Sequence, residues 1–329
     1  MTKKTQQRIE KLLKLLSDGK FHSGQSIAEK LGVSRTAVWK LIQKIESWQL
    51  TVYSIRGRGY QIPGGLELLD QQQLKLSLKN NELFNDVILH ASIDSTSNFL
   101  AEEWKKSPGY GRVCIAEHQT SGRGRKGRSW VSPFAANLYF SIGVELPLGL
   151  SALGGLSLVV GMSICSTLNR FTNDRVKVKW PNDLMVDDHK LAGILVEASG
   201  ETNDTSFLNI GVGINWDMQN FQGELIDQPW INLKQLLVKS ASRQQILTEI
   251  LCELDAALVD YLTNGFSHFS TKWQGYSAMY QRDVNIMLTN EVVSGKEVGI
   301  EANGALRVQT VDGIRLFHSG EVSLRKKMA

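Results

Sequence analysis

Apolar residues recur at helical spacing three times near the start of the chain. Ile9, Leu12, Leu13 and Leu16 fall at i, i+3, i+4 and i+7, one face of a helix, and Gly19 stops the run. Ile27, Ala28 and Leu31 predict a second, shorter helix over 25–31, with Gly32 taking the turn after it. Ser34 is a good N-cap for a third helix that buries Val38, Leu41, Ile42 and Ile45. The period then changes from helical to alternating. Strands are expected at 52–55 and 60–62, joined by the basic turn Arg56-Gly57-Arg58-Gly59. Three helices followed by a two-stranded wing are the order of a winged helix-turn-helix. Pro63-Gly64-Gly65 breaks the pattern and marks a linker.

Later patterns are mixed. Residues 112–117 and 209–215 read as strands, the second alternating apolar residues with glycine, and 138–144 is an apolar strand. The stretch 153–168 is the most apolar, but glycines and serines cut it and Asn169-Arg170 follow. It is too short and polar to span a bilayer, so a buried helix is expected. From 276 onward short strands are expected at 283–288, 297–301, 305–310 and 314–318, with Asn303-Gly304 as a hairpin turn, which predicts a small SH3-like β-barrel. The expected units are therefore 1–63, 67–275 and 276–329.

Charge changes this picture in one place. Residues 1–62 carry twelve Lys+Arg against four Asp+Glu, a balance of +8; the whole chain is +4, which leaves −4 elsewhere. The basic footprint of a nucleic-acid partner is thus confined to the N-terminal unit. Ser34, Arg35, Thr36, Trp39, Lys40 and Lys44 on the third helix, with Arg56 and Arg58 on the wing, are the candidate DNA contacts, because such groups reach phosphates and base edges from the major groove. A solvated basic surface is the plainer alternative. Three scattered cysteines (Cys114, Cys165, Cys252) without a CxxC pair argue against a disulfide framework or zinc site. No secretion signal is visible at the N-terminus, and a reducing cytoplasm is expected.

Two clusters carry candidate chemistry. Gly122-Arg123-Gly124-Arg125-Lys126-Gly127-Arg128 satisfies the GxGxxG spacing, but a strand rather than a helix follows, so a dinucleotide-binding turn is not expected. Glycines that let backbone approach an anion, interleaved with guanidiniums that grip phosphate, suit a phosphate loop instead. The second cluster is Lys179-Trp180-Pro181-Asn182-Asp183, then Lys190-Leu191-Ala192-Gly193. Its turn residues place Lys179 and Lys190 near the ends of adjacent strands, where they converge, and Asp183 offers a carboxylate suited to Mg²⁺. No nucleophile–base pair and no GxSxG stand out, so charge stabilisation rather than covalent catalysis is expected.

These motifs, in this order, resemble the bifunctional biotin protein ligase family, also called biotin operon repressors. Asp94-Ser95-Thr96, Gly122-Arg123-Gly124-Arg125, Lys179-Trp180-Pro181-Asn182-Asp183, Lys190-Leu191-Ala192-Gly193, Gly213-Ile214-Asn215 and the ending Gly320-Glu321-Val322-Ser323-Leu324-Arg325 carry the likeness over essentially the whole chain. The resemblance implies an α+β multidomain fold: a winged helix, a mixed-sheet ligase domain like class II synthetases, and an SH3-like C-terminal domain. It implies biotinyl-5′-AMP formation from biotin and MgATP, then transfer to a lysine of biotin carboxyl carrier protein. It also implies homodimerisation and binding to the operator DNA of biotin genes, with biotinyl-AMP as corepressor.

By the same resemblance Ser95, Thr96, Ser97, Gln119, Arg123, Gly124, Arg125, Lys190, Gly211 and Gly213 contact biotin. Trp230, Asn182, Asn215 and Arg325 contact the nucleotide. Lys190, Arg123, Arg125, Lys179 and Asp183 form the catalytic set. Many family members have Asn directly after Ser-Thr; here Ser97 intervenes before Asn98, and either faces the ligand. The rival readings are a lipoate–protein ligase, a repressor that senses biotin without ligating it, and a ligase whose winged helix has lost operator binding.

Overall fold

The three helical stripes fold as expected. In the computed structural model, α1 spans Lys3–Leu16, α2 Gly24–Leu31 and α3 Arg35–Glu46. Ser34 caps α3 by accepting from the Ala37 N–H at 3.2 Å, and Gly32 closes α2 in the left-handed region at φ 62°. Ile9, Leu12, Leu16, Ile27, Val38 and Ile45 form a separate, fully buried core. The wing is β1, Tyr53–Ile55, antiparallel to β2, Gly59–Gln61. The structure describes residues 3–109, 111–200, 202, 204–288, 291–319 and 323–326, with backbone alone at 3, 323, 325 and 326.

The central unit is a seven-stranded mixed sheet. Its strands are β3 (Asp86–His90), β4 (Arg112–Ala116), β5 (Asn137–Leu146), β6 (Val176–Lys179), β7 (Asp183–Val186), β8 (His189–Gly200) and β9 (Ser206–Asn215), in the order β3-β4-β5-β9-β8-β7-β6. Only β3 and β4 run parallel; every other neighbouring pair is antiparallel. Side chains alternate across a strand, so the sheet has two different faces. Leu208, Ile210, Val212 and Ile214 of β9 join the main core with α4 (Gln71–Ser77), α6 (Leu156–Thr172) and α7 (Arg243–Asn264). The opposite face presents Gly211, Gly213 and Asn215, and α5 (Thr96–Lys106) packs beside it on β5 and β9. The apolar stretch at 153–168 is indeed a buried helix, displaced by a few residues to 156–172.

The C-terminal unit corrects one expectation. It has five strands: β10 (Asp283–Met287), β11 (Val292–Ile300), β12 (Leu306–Thr310), β13 (Gly313–Phe317) and β14 (Ser323–Lys326). They form an open antiparallel sheet in the order β13-β12-β11-β10-β14, not a closed barrel. Closure would need β13 to meet β14. That strand pairs with β10 instead, and among the described residues the outer edge of β13 has no partner strand.

Both junctions with the central unit are well defined. Trp48, at the end of the winged helix, stacks on His118 and Phe134 at centroid distances of 5.5 and 5.4 Å. Beneath that seam lies Arg243, wholly buried, which donates to Glu117 at 2.6 Å and to the carbonyls of Asn137 and Glu67. Glu117 also accepts from the Leu69 N–H, which fixes the chain where it leaves the linker. At the other seam Glu297 of β11 is fully buried and accepts from Trp273, in the central unit's last turn, and from Ser277, which caps that turn.

Candidate active site

The glycine face of β9 is the floor of a cavity of about 410 Å³. Gly213 pairs with Gly193 across β8 and β9. The Trp130 indole lies over this pair: a Cβ on Gly213 would sit 2.3 Å from Trp130 Cε2, and one on Gly193 2.8 Å from Cζ3. Two positions earlier, a Cβ on Gly211 would sit 2.7 Å from Ser97 Oγ. These close approaches are why the strand carries glycine at alternate positions. Two positions beyond Gly213, Asn215 donates from Nδ2 to the Lys190 carbonyl at 3.2 Å. The cavity is therefore a slot along one strand, about 13 Å from Gly211 to Asn215 at the usual rise.

One end of the slot is lined by neutral polar groups. Thr96 starts α5, and its N–H and hydroxyl both donate to Gln119 Oε1, at 2.9 and 3.2 Å. Gln119 Nε2 donates to Ser132 Oγ at 3.0 Å. Ser141 lies 2.7 Å from Thr96 Oγ1 and 3.0 Å from Ser97 Oγ. Asn209 donates to the Ser97 carbonyl at 2.8 Å and so fixes the turn that presents these hydroxyls. Ser95 and Ser97 line the cavity. Asn98 does not; it donates to Asp94 at 3.0 Å and accepts from Arg123.

The other end is cationic. Lys190, near the start of β8, places its ammonium 2.8 Å from Asp183 and 5.4 Å from the Trp130 ring centre. The Lys190 backbone is bridged to 229–231: its N–H donates to Pro229 and its carbonyl accepts from Ile231. That bridge sets Trp230 on the rim, packed over Gly223. Arg125 reaches across the mouth to Asn182 Oδ1 at 2.9 Å and to the Ser319 carbonyl. Partial burial lowers the Arg125 guanidinium pKa, and Asp183 opposes that shift. Arg123 turns the other way, forming a two-pronged ion pair with Glu197 at 3.0 and 2.5 Å.

The predicted residues are thus largely brought together: Ser95, Thr96, Ser97, Gln119, Arg123, Gly124, Arg125, Asn182, Asp183, Lys190, Gly211, Gly213, Asn215 and Trp230 all line the slot. Lys179 does not. It sits on β6 opposite Asp183, and β7 intervenes between β6 and β8, so Lys179 and Lys190 are not on adjacent strands as expected. Arg325 is in β14 opposite Asn285, and its side chain lies outside the described residues, as do Gly320, Glu321 and Val322. Trp130 and residues 225–227 line the slot although they belong to no motif, and Arg128, the last residue of the glycine-rich motif, lines it without having been assigned a role. On the winged helix, Arg35, Thr36, Trp39, Lys40, Lys44, Arg56 and Arg58 are exposed, and Arg58 stacks on Phe21 at 4.4 Å.

The chain is 38% identical to the bifunctional ligase/repressor BirA of Salmonella typhimurium over 95% of its own length and 96% of that protein's. It belongs to the biotin/lipoate protein ligase family, on the bifunctional ligase/repressor branch. The model of the biotin/lipoate A/B protein ligase family matches residues 89–215 of this family member, a helix-turn-helix model matches 8–61, and a biotin protein ligase C-terminal domain matches 282–325. Its counterpart in Bacillus subtilis is 28% identical over 95% of this chain and 97% of its own. Among solved structures, the Aquifex aeolicus biotin protein ligase in complex with biotin and ATP is similar at a TM-score of 0.64 and 30% identity, over 74% of this ligase-family chain and all of that one.

Proposed function

We propose that the chain is an ATP-dependent biotin–protein ligase that also acts as a biotin-responsive repressor. The observation that carries this reading is the polarity of the slot: hydroxyls and an amide at one end, Lys190 and Arg125 at the other, with backbone glycines between. A ureido group with both donors and acceptors matches Thr96, Ser97, Gln119 and Ser141. The dithiolane of lipoate offers these groups neither a donor nor an acceptor, so it gains nothing from a polar end that a ureido ring can engage. This favours biotin over lipoate within the same family.

We assign the roles by position along the slot and, for Arg325, by the family resemblance. Ser95, Thr96, Ser97 and Gln119 hold the ureido ring, and Gly211 and Gly213 let the bicycle lie against the strand. Lys190 meets the carboxylate and the α-phosphate, and Asp183 holds its ammonium in place. Trp230 covers the adenine, with Asn182 and Asn215 beside the nucleotide and Arg325 reaching it from β14. A carboxylate oxygen of biotin attacks the α-phosphorus, and pyrophosphate leaves. The acceptor lysine amine then attacks the acyl carbon, and AMP leaves. Negative charge grows on phosphate oxygens in both steps, so fixed cations supply most of the stabilisation. Among the described residues no three His, Cys, Asp or Glu side chains converge on a metal site. The donors fit a Mg²⁺ ion carried in on ATP, which would offset phosphate charge, with Asp183 as its one protein carboxylate.

The carrier partner is a biotin carboxyl carrier protein. The exposed basic faces of α3 and the wing, including Ser34 at the helix start, meet operator DNA, and the working repressor is a homodimer reading two half-sites. We set the unit boundaries at 63/67, across the Pro63-Gly64-Gly65 linker, and at 275/276, within the turn Trp273–Tyr276. Among the described residues no helix is long and apolar enough to cross a membrane; we place the protein in the cytoplasm. Incubation with MgATP, a carrier domain and either biotin or lipoate, followed by mass spectrometry, tests the enzyme. A biotin adduct is expected, and its absence overturns the reading. A gel shift with DNA upstream of the biotin genes, with and without biotin plus ATP, tests repression.

A further inference from the structure

The two arginines of the glycine-rich loop share a motif but have different surroundings. Among the described residues Arg125 hydrogen-bonds to neutral acceptors alone, Asn182 Oδ1 and the Ser319 carbonyl, while the Asp183 carboxylate acts on it without a hydrogen bond. Arg123 meets a carboxylate in fork geometry, Glu197 on β8, and its Nη1 also donates to Asn98 Oδ1 at 3.2 Å. Asn98 is held in turn by Asp94, at the start of the segment that presents the slot's hydroxyls. The positive charge of Arg123 is therefore balanced before any ligand arrives, whereas that of Arg125 faces the mouth without an equivalent carboxylate.

We infer that Glu197, assisted by Asn98, is a positioning residue that fastens the glycine-rich loop through Arg123. This rests on the ligase reading for its consequence but not for its geometry. A loop with Gly122, Gly124 and Gly127 has high conformational entropy when free. Its backbone bonds include Gly124 N–H to the Arg128 carbonyl at 2.7 Å, Arg128 N–H to the Arg125 carbonyl at 3.2 Å and Trp130 N–H to the Gly122 carbonyl at 2.8 Å. Two-pronged arginine–carboxylate pairing supplies both attraction and direction, so one such pair across the slot sets where the loop rests. Glu197 shares the slot face of β8 with Gly193 and Leu195 but lies beyond the lining, so its effect on ligands passes through Arg123. The intermediate that the loop must retain is a mixed anhydride, and a slackened loop exposes it to water.

The test uses the full chain and Glu197→Gln, which keeps the side-chain length and removes the charge. In the ligand-free protein, brief trypsin treatment followed by mass spectrometry reads cleavage after Arg123, Arg125, Lys126 and Arg128. Cleavage is expected to be roughly fivefold faster in the variant, the size of effect a half-exposed pair supports. Asn98→Ala should give a smaller increase. With biotin and MgATP, release of preformed biotinyl-adenylate should quicken by a similar factor and the KM for biotin should rise with it. The KM for MgATP should stay within about twofold, since Arg125 is untouched. A thermal melt matching the parent separates loop release from general destabilisation. Equal cleavage rates in parent and Glu197→Gln overturn the fastening role. If the parent makes no biotinyl-adenylate, the ligase reading fails instead, and the cleavage comparison still judges the loop.

Discussion

At the scale of single residues, Lys190 holds the most demanding position. Its side chain faces the slot and its backbone anchors the segment bearing Trp230, so substitution separates two roles. Lys190→Ala keeps the backbone bridge and removes only the ammonium. Biotinyl-AMP formation should fall by at least about 100-fold, as when a fixed electrostatic group is deleted. The far-UV circular dichroism should not change. Near-normal adenylate synthesis would remove Lys190 from the catalytic set. The lysine was legible in the sequence because its motif is specific. Trp130 was not, because its place depends on two glycines, Gly193 and Gly213, that become neighbours only through the β8–β9 register. Ser97 and Asn98 were indistinguishable as letters. Their separation, one into the slot and one toward Arg123, is set by which side of the first turn of α5 each occupies.

Among the elements, β9 shapes the slot most directly. Its core-facing residues are large and its slot-facing ones are glycines, so adding atoms to the slot face should narrow the site without loosening the core. Gly213→Val would drive the Trp130 indole off the strand, where a Cβ alone would already lie 2.3 Å from the ring. Overpacking of this kind costs roughly 1–3 kcal/mol, so the Kd for biotin should rise about tenfold or more by titration calorimetry. An unchanged Kd would place biotin elsewhere. The helices of the winged unit were legible because each bears a clean apolar stripe and a capping serine. The strand order of the central sheet was not. Leu138 pairs with Ile214 and Asn137 with Asn215, partners far apart in sequence, and no local pattern encodes that pairing. The barrel expectation failed for a related reason: strand content is local, whereas closure depends on which edge β14 pairs with.

For the whole molecule, the two seams respond to pH in opposite directions. At the winged-helix seam, burial drives the His118 pKa down to about 4, with nearby Lys44 adding to the shift. The unfolded chain binds its proton more readily, so this seam loses stability as pH falls from 6.5 toward 4. At the C-terminal seam, burial raises Glu297 to about 7, against hydrogen bonds from Ser277 and Trp273 that lower it. Here the folded chain holds the proton, so stability present below pH 4.5 is lost as pH rises toward 7. Glu297→Gln should abolish the second loss and stabilise the protein at pH 8 by up to about 3 kcal/mol, leaving the acid arm in place. Denaturant titrations at pH 5 and pH 8 would show it, and a variant no more stable than the parent at pH 8 would refute it. The Arg125 contact with the Ser319 carbonyl has a consequence for the order of synthesis. The slot's own lining ends at Trp230, yet its mouth is finished by a residue 89 positions later. At ordinary elongation rates a nascent chain would contain every residue of the slot's lining for several seconds before the anchor of its mouth is made. The floor, whose far side packs on α7, and the last anchor of the loop are thus completed late and in that order.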